Sequence, residues 1–324
     1  MRLGVLDVGA YSAQLQVADV VAGAAPRHVR TVKVPTRLAE EIGADGAIGE
    51  AGIQRVVRAV ARTGAAARRS GAELLYPYVT AAIRDASNRD VVLARIQART
   101  GLVLGFMTGE QEALLTYAAV RAWCGWRAGT VLNIDIGGGS TELVLGDGAA
   151  PQIAVSLPLG ARELSRSFLT SDPPTPDQLR RLQTHVRQQT SYVAPSLRCD
   201  DEHPHTVVTS KVFKQLARMG RPARGRKGDP VPDVIAIKSV RQWIPRLAAT
   251  TAEQRARFRG VDTARAGQIL GGAVVAYETM RSLGITTAEL SPWALREGVM
   301  LEHLSASAPI DPIVLPARRR LYRP

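Results

Sequence analysis

Two stretches of this 324-residue chain repeat one pattern of chemically useful residues. "LDVGAYSAQLQV", Leu6 to Val17, aligns with "NIDIGGGSTELVL", Asn133 to Leu145, placing Asp7 on Asp135, Gly9 on Gly137, Ser12 on Ser140 and Gln14 on Glu142. Each runs from apolar residues through an acid, a glycine and a serine into alternating apolar residues, which reads as strand, tight turn, strand. A turn of this kind leaves backbone N–H groups pointing into open space, where, with a serine hydroxyl, they can cradle phosphate oxygens. Glycine suits it because a side chain blocks the approach and resists positive φ. The expected donors are Gly137, Gly138, Gly139, Ser140 and Thr141 in the second copy, and Gly9 and Ser12 in the first. Asp135 and Glu142, on the strands flanking "IGGGST", offer the oxygen ligands that Mg²⁺ takes together with water. One glycine turn is matched by any hairpin. Two copies in equivalent places are harder to explain so, and if the two halves face one another across a cleft, both turns present donors to the same anionic ligand.

The surrounding sequence supplies those halves. Strands are expected at Leu3–Val8, Ala13–Ala18, His28–Val34 and Glu73–Val79, and in "LVLGFMT" before "GEQEALLTYAAVRAW". Helices are expected from about Gly49 to Ser70, with Ile53, Val56, Val57, Val60 and Ala61 on one face, and from Arg89 to about Thr100. A second alternation of strands and helices follows "CGWRAGT", Cys124 to Thr130, which reads as a hinge. The expected domains are residues 1–125, rejoined by a C-terminal helix at about 299–312, and residues 126–298, followed by a basic tail at 313–324.

Composition narrows the function classes. Lys and Arg number 42 against 29 acids, a formal charge of +13, which points to an anionic partner. The excess gathers in "ARMGRPARGRKGD", Ala217 to Asp229, and in the tail "PARRRLYRP". No apolar run approaches the length of a bilayer crossing and no secretory signal precedes the first strand, so a soluble, cytoplasmic protein without a membrane partner is expected. Cys124 and Cys199 form neither a disulfide framework nor a zinc-spaced cluster, and no recognisable nucleic-acid module accompanies the charge. His203 and His205 lie in a polar loop without a third ligand at helical spacing.

The paired turns resemble those of the actin-like ATPase and sugar kinase superfamily. More specifically, "LDVGAYSAQLQV", "VTAAIRDASNRD", "MTGEQEALLTYAAV", "NIDIGGGSTELVLG", "VSLPLGARELSRSFL", "VVTSKVFKQLAR" and "PWALREGVML" are similar, in order and spacing, to the exopolyphosphatase/guanosine pentaphosphate phosphatase family in its short, two-domain form. The resemblance covers about Met1 to Leu304 and implies two related actin-like (ribonuclease H-like) α/β domains facing across an interdomain cleft. It implies a Mg²⁺-dependent exopolyphosphatase that removes terminal orthophosphate from inorganic polyphosphate, as a homodimer. Hydrolysis of guanosine pentaphosphate, or non-catalytic sensing of polyphosphate or guanosine penta/tetraphosphate, are the alternatives.

Glu112 matches the family's catalytic glutamate, the base that takes a proton from the attacking water, whereas Glu110 complements the helix N-terminus. Arg84 matches a family arginine suited to bidentate phosphate contact, its alternative being an ion pair with Asp85 or Asp90. Lys211, after the strand in "VVTSKVF", is either directed at the cleft or solvated. Ala10 and Tyr11 stand where family members usually carry serine and asparagine, Gln14 stands opposite Glu142 in the repeat, and Leu114 replaces a common arginine. "GQILGGAVVA" is faintly similar to the superfamily's adenosine-contacting segment, although Gly271 and Gly272 equally suit close helix packing.

Overall fold

Near-continuous burial of the first strand on both faces marks it as the interior of a sheet covered on each side. In the computed structural model, which describes residues 1–43, 45–197, 204–220, 234–305 and 312–315, this strand is β1 (Arg2–Val8). It continues through the first repeat into β2 (Ser12–Asp19) and β3 (Arg27–Pro35), an antiparallel meander in which Asp7 lies opposite Gln14. Helix α1 (Glu50–Arg69) lays Ile53, Val56, Val60 and Ala67 against the sheet. Next come β4 (Leu74–Val79), parallel to β1, the single turn α2 (Ala81–Arg84), α3 (Arg89–Thr100) and β5 (Gly105–Phe106), parallel to β4.

Helix α4 (Gly109–Cys124) leads to the second repeat. Strands β6 (Val131–Ile136), β7 (Thr141–Gly146) and β8 (Ile153–Leu157) form an antiparallel meander like β1–β3. After α5 (Ala161–Phe168) and α6 (Pro176–Val193), strand β9 (His205–Val208) pairs parallel with β6, as β4 does with β1. The remaining elements are α7 (Ser210–Met219), β10 (Val234–Ala236), α8 (Ile237–Ala248), α9 (Ala252–Ala256), α10 (Ile269–Ser282) and β11 (Thr287–Leu290), the last parallel to β9. The strand order β3-β2-β1-β4-β5 recurs as β8-β7-β6-β9-β11, so the repeat is one of folds as well as turns. Most of the 217–229 basic stretch lies outside the described residues.

The chain divides into two compact units, Met1–Gln111 with the chain from Leu295 onward, and Glu112–Ala294. The first boundary falls inside α4 rather than at the hinge expected after Cys124. Ala113, Tyr117 and Val120 pack with Val131, Val144 and Val207 of the second sheet, so the helix body belongs to that core. Helix α11 (Leu295–Ser305) and strand β12 (Ile313–Val314) complete the first unit.

Residues 313–315, at the start of the expected basic tail, join the first sheet. Ile313 pairs with Leu75, the Leu315 N–H donates to the Glu73 carbonyl at 2.8 Å, and the Leu315 side chain is buried. Leu315→Ala is therefore expected to cost about 2–4 kcal/mol, read as a lower urea midpoint of the full chain.

Candidate functional site

Each meander closes on the same turn. The Gly137 N–H donates to the Ser140 carbonyl at 2.8 Å, and the Gly9 N–H donates to that of Ser12 at 3.0 Å. These two amides are thus engaged within the turns. Gly9 and Gly137 do not adopt positive φ, nor does Gly138, so backbone hand does not call for glycine at these positions.

Helix α5 holds the second turn. Its first amides, on Ala161, Arg162 and Glu163, donate to the carbonyls of Gly137 and Gly138 at 3.0–3.1 Å, using N–H groups that a helix start leaves unpaired. A trans peptide points its N–H opposite to its C=O. The Gly138 and Gly139 amides therefore point away from α5, as donors aimed off the loop. Gly160 makes this approach possible: a Cβ there would lie 2.2–2.4 Å from backbone atoms of Gly138 and Gly139. Thr141, expected as a phosphate donor, is fully buried and its hydroxyl donates to the Leu159 carbonyl at 2.8 Å, fastening the same loop.

The first turn is held in the same way by the segment after β3. The Leu38 and Ala39 amides donate to the Ala10 carbonyl at 2.7 and 3.3 Å, and the Thr36 hydroxyl donates to the Gly9 carbonyl at 2.8 Å. The Ala10 and Tyr11 amides consequently take the orientation of those of Gly138 and Gly139, although the side chains differ.

Asp135 and Glu142 are directly opposed across β6 and β7, which puts both carboxylates on one face of the sheet. Val131 and Val144 share that face, and α4 packs on them. Because α4 ends just before β6 begins, its N-terminal turn with Glu112 lies toward the Asp135 end of the strand. A capping box sets this turn: Thr108 Oγ1 accepts from the Gln111 N–H at 3.2 Å, and Gln111 Oε1 accepts from the Thr108 N–H at 2.9 Å. Leu114 faces outward.

The Thr209 hydroxyl donates to Asp135 Oδ2 at 2.5 Å and the Ser156 hydroxyl to Glu142 Oε1 at 3.1 Å. Burial pushes the Asp135 carboxyl above the ordinary carboxylate range, opposed by the Thr209 hydroxyl and the Lys214 ammonium. Ser210, with φ +83°, makes the strained turn from Thr209 into α7, and Lys211 follows it on an exposed position. The set suits a hard divalent cation, with two opposed carboxylates leaving coordination positions for water and phosphate oxygens. Among the described residues no group of three His, Cys, Asp or Glu forms a fuller cage.

In the first unit Asp7 has a cation instead. Arg296 Nη1 lies 3.5 Å from Asp7 Oδ2, while Arg296 Nε donates to Gln16 at 3.0 Å and Gln16 donates to Glu297 at 2.5 Å. Arg84 takes the ion-pair alternative, meeting both Asp85 oxygens at 2.8 and 3.2 Å and donating to the Met107 carbonyl at 3.0 Å. Its turn begins at Thr80, whose hydroxyl would lie 3.3 Å from a Cβ on Gly9. His205 pairs with Glu289 at 2.9 Å, and His203 lies outside the described residues.

Sequence reasoning did not single out Gly160, Arg162 or Asn133. Arg162 follows the Gly160 cap, and its Nη1 is buried with no hydrogen-bond partner among the described residues. Asn133, on the face of Asp135, is fully buried with both amide atoms unpartnered in the same sense. The available signals were a glycine before a helix start and a polar residue in a buried strand. Gly271 and Gly272 resolve as packing: a Cβ on Gly271 would lie 2.9 Å from the Ala161 carbonyl, so α10 presses directly on the start of α5.

Residues 16–307 match the Ppx/GppA phosphatase family. The chain is 38% identical over 308 residues to Exopolyphosphatase 1 of Mycobacterium leprae, covering 95% of this chain and 91% of that protein. It is 39% identical over 308 residues to Exopolyphosphatase 1 of Mycobacterium tuberculosis, covering 95% and 90%. The crystal structure of the Aquifex aeolicus member of the Ppx/GppA family matches with a TM-score of 0.78 at 27% identity, over 94% of this chain and 98% of that one.

Two substitutions probe the site without reference to turnover. Gly160→Ala is expected to lower the unfolding free energy by about 1–3 kcal/mol in urea titrations. For Asp135 the folded pKa lies above the unfolded one, so the carboxyl costs stability as pH rises from the unfolded value toward the folded value, and above it. Asp135→Asn should therefore raise the urea midpoint at pH 7 in metal-free buffer, with the gain vanishing in acid.

Proposed function

The chain belongs to the Ppx/GppA phosphatase family, and from that premise we propose that it is an exopolyphosphatase, a phosphoanhydride hydrolase that removes terminal orthophosphate from inorganic polyphosphate. The observation that carries this reading is the pair of identically fastened turns, each aiming consecutive backbone amides away from the segment that holds it. Backbone donors of that kind suit phosphate oxygens irrespective of the group beyond them. The family match and the mycobacterial relatives support polyphosphate as the substrate.

In this reading the Gly138 and Gly139 amides and the Ser140 hydroxyl bind the terminal phosphoryl group, with the Arg162 guanidinium beside them. The Ala10 and Tyr11 amides, Ser12 and Arg84 bind phosphate from the first unit. Arg84 turns from Asp85 toward the anion, since an aspartate partner holds it in the meantime. Asp135 and Glu142, supported by Thr209 and Ser156, would hold Mg²⁺, which when bound would supply positive charge to the phosphoryl oxygens. Glu112 orients a water and accepts its proton as the water oxygen bonds to the terminal phosphorus. The bridging P–O bond breaks, orthophosphate leaves, and the chain is shorter by one phosphate. Lys211 offsets charge at the mouth of the second loop.

Glu112→Gln is expected to lower kcat for phosphate release from polyphosphate about 10²–10⁴-fold with the unfolding midpoint unchanged. EDTA should abolish release and added Mg²⁺ restore it. Faster release from guanosine pentaphosphate than from polyphosphate would replace the substrate assignment, and binding of polyphosphate with no release under Mg²⁺ would replace the enzyme with a sensor.

A further inference from the structure

A second basic feature lies wholly within the first unit, in described residues. Strand β3 is the edge of its sheet, and between it and the C-terminal half of α1 runs a groove of about 460 Å³. Arg30 from the strand and Arg62 and Arg69 from the helix line it, over a floor that includes Val32, Val34, Ala61 and Ala65. Arg62 and Arg69 are two turns apart on one helix face, and Arg30 shares with Val32 and Val34 the strand face toward α1, whereas Lys33, opposite Gln14, projects to the other face. None of these three arginines has an ion-pair partner among the described residues, whereas Arg2, Arg27, Arg55 and Arg95 of the same unit all do.

We propose that this groove is an accessory polyanion site that holds a distal segment of the polyphosphate chain while its end is hydrolysed elsewhere. The proposal rests on the polyphosphate reading above. Three uncompensated cations along one crevice attract a polymer bearing a charge at every unit. The lining has no aromatic ring on which a base could stack and no amide side chain to read one, so the groove suits a bare phosphate chain over a nucleic acid. Cations on an edge strand also discourage edge-to-edge pairing, and that role alone predicts a different result.

The test compares Arg62→Ala/Arg69→Ala and Arg30→Ala/Arg69→Ala with Arg180→Ala/Arg181→Ala, which removes the same charge from α6. Both groove variants should raise KM for long polyphosphate about fivefold or more, leaving kcat and the KM for tripolyphosphate unchanged, and the α6 variant should do neither. Direct binding of long polyphosphate in EDTA should weaken in parallel. If the unmodified protein binds long chains through the groove but releases no phosphate with Mg²⁺, the groove stands and the enzyme reading falls. Unchanged KM and binding overturn the groove, as does self-association of the variants with KM unchanged. Loss of single-stranded DNA binding with polyphosphate binding intact overturns it in favour of nucleic acid. Circular dichroism and thermal unfolding establish that each variant is folded; if one pair misfolds, the other carries the comparison.

Discussion

Three amides at the start of α5, donating to two glycine carbonyls, determine the direction of the Gly138 and Gly139 amides on the second loop. A peptide unit has only one N–H and one C=O, set opposite each other, so tying down the carbonyl settles where the amide points. Gly160 allows the helix backbone to come that close, and Gly271 allows α10 to press on the helix from behind. The loop is thus held by packing around it, with the Thr141 hydroxyl as a further tie. Donors fixed before an anion arrives need little reorganisation when charge develops on it.

The two units use that device with different electrostatics. In the first, Asp7 stands near Arg296 and opposite Gln14, so its charge is offset by the protein. In the second, Asp135 and Glu142 face each other and are fixed by hydroxyls that donate to them. Burial makes the Asp135 carboxylate costly to keep ionised and raises its pKa. A bound cation would remove that cost. The duplicated fold therefore supplies one turn whose acid is already compensated and one whose acids are suited to a metal.

Much of this could be read from residue order. Strand–turn–strand alternation located β1, β2, β6 and β7, and Arg89–Thr100 is a helix as its pattern required. The altered Ala10–Tyr11 tip raised a doubt about donors that its backbone answers, because main-chain amides do not depend on side-chain identity. Less legible was the stretch from Val234 to Ala256, where a short strand leads directly into helices and no clear period separates them. The boundary inside α4 was also hidden, since a helix sequence does not say which of two cores its apolar face will join.

By itself the sequence determined the duplication, the acids and glycines at each turn, and the helix carrying Glu112, because these follow from local spacing and backbone preference. Tertiary structure decided which atoms of those residues remain for a ligand. It took the Gly9 and Gly137 amides and the Thr141 hydroxyl for the fold, gave Arg84 an aspartate partner, and left Arg162 with a buried nitrogen beside the loop. Hydrogen bonds between residues distant in sequence form only when the chain has folded, and each donor hydrogen they take is withdrawn from the site.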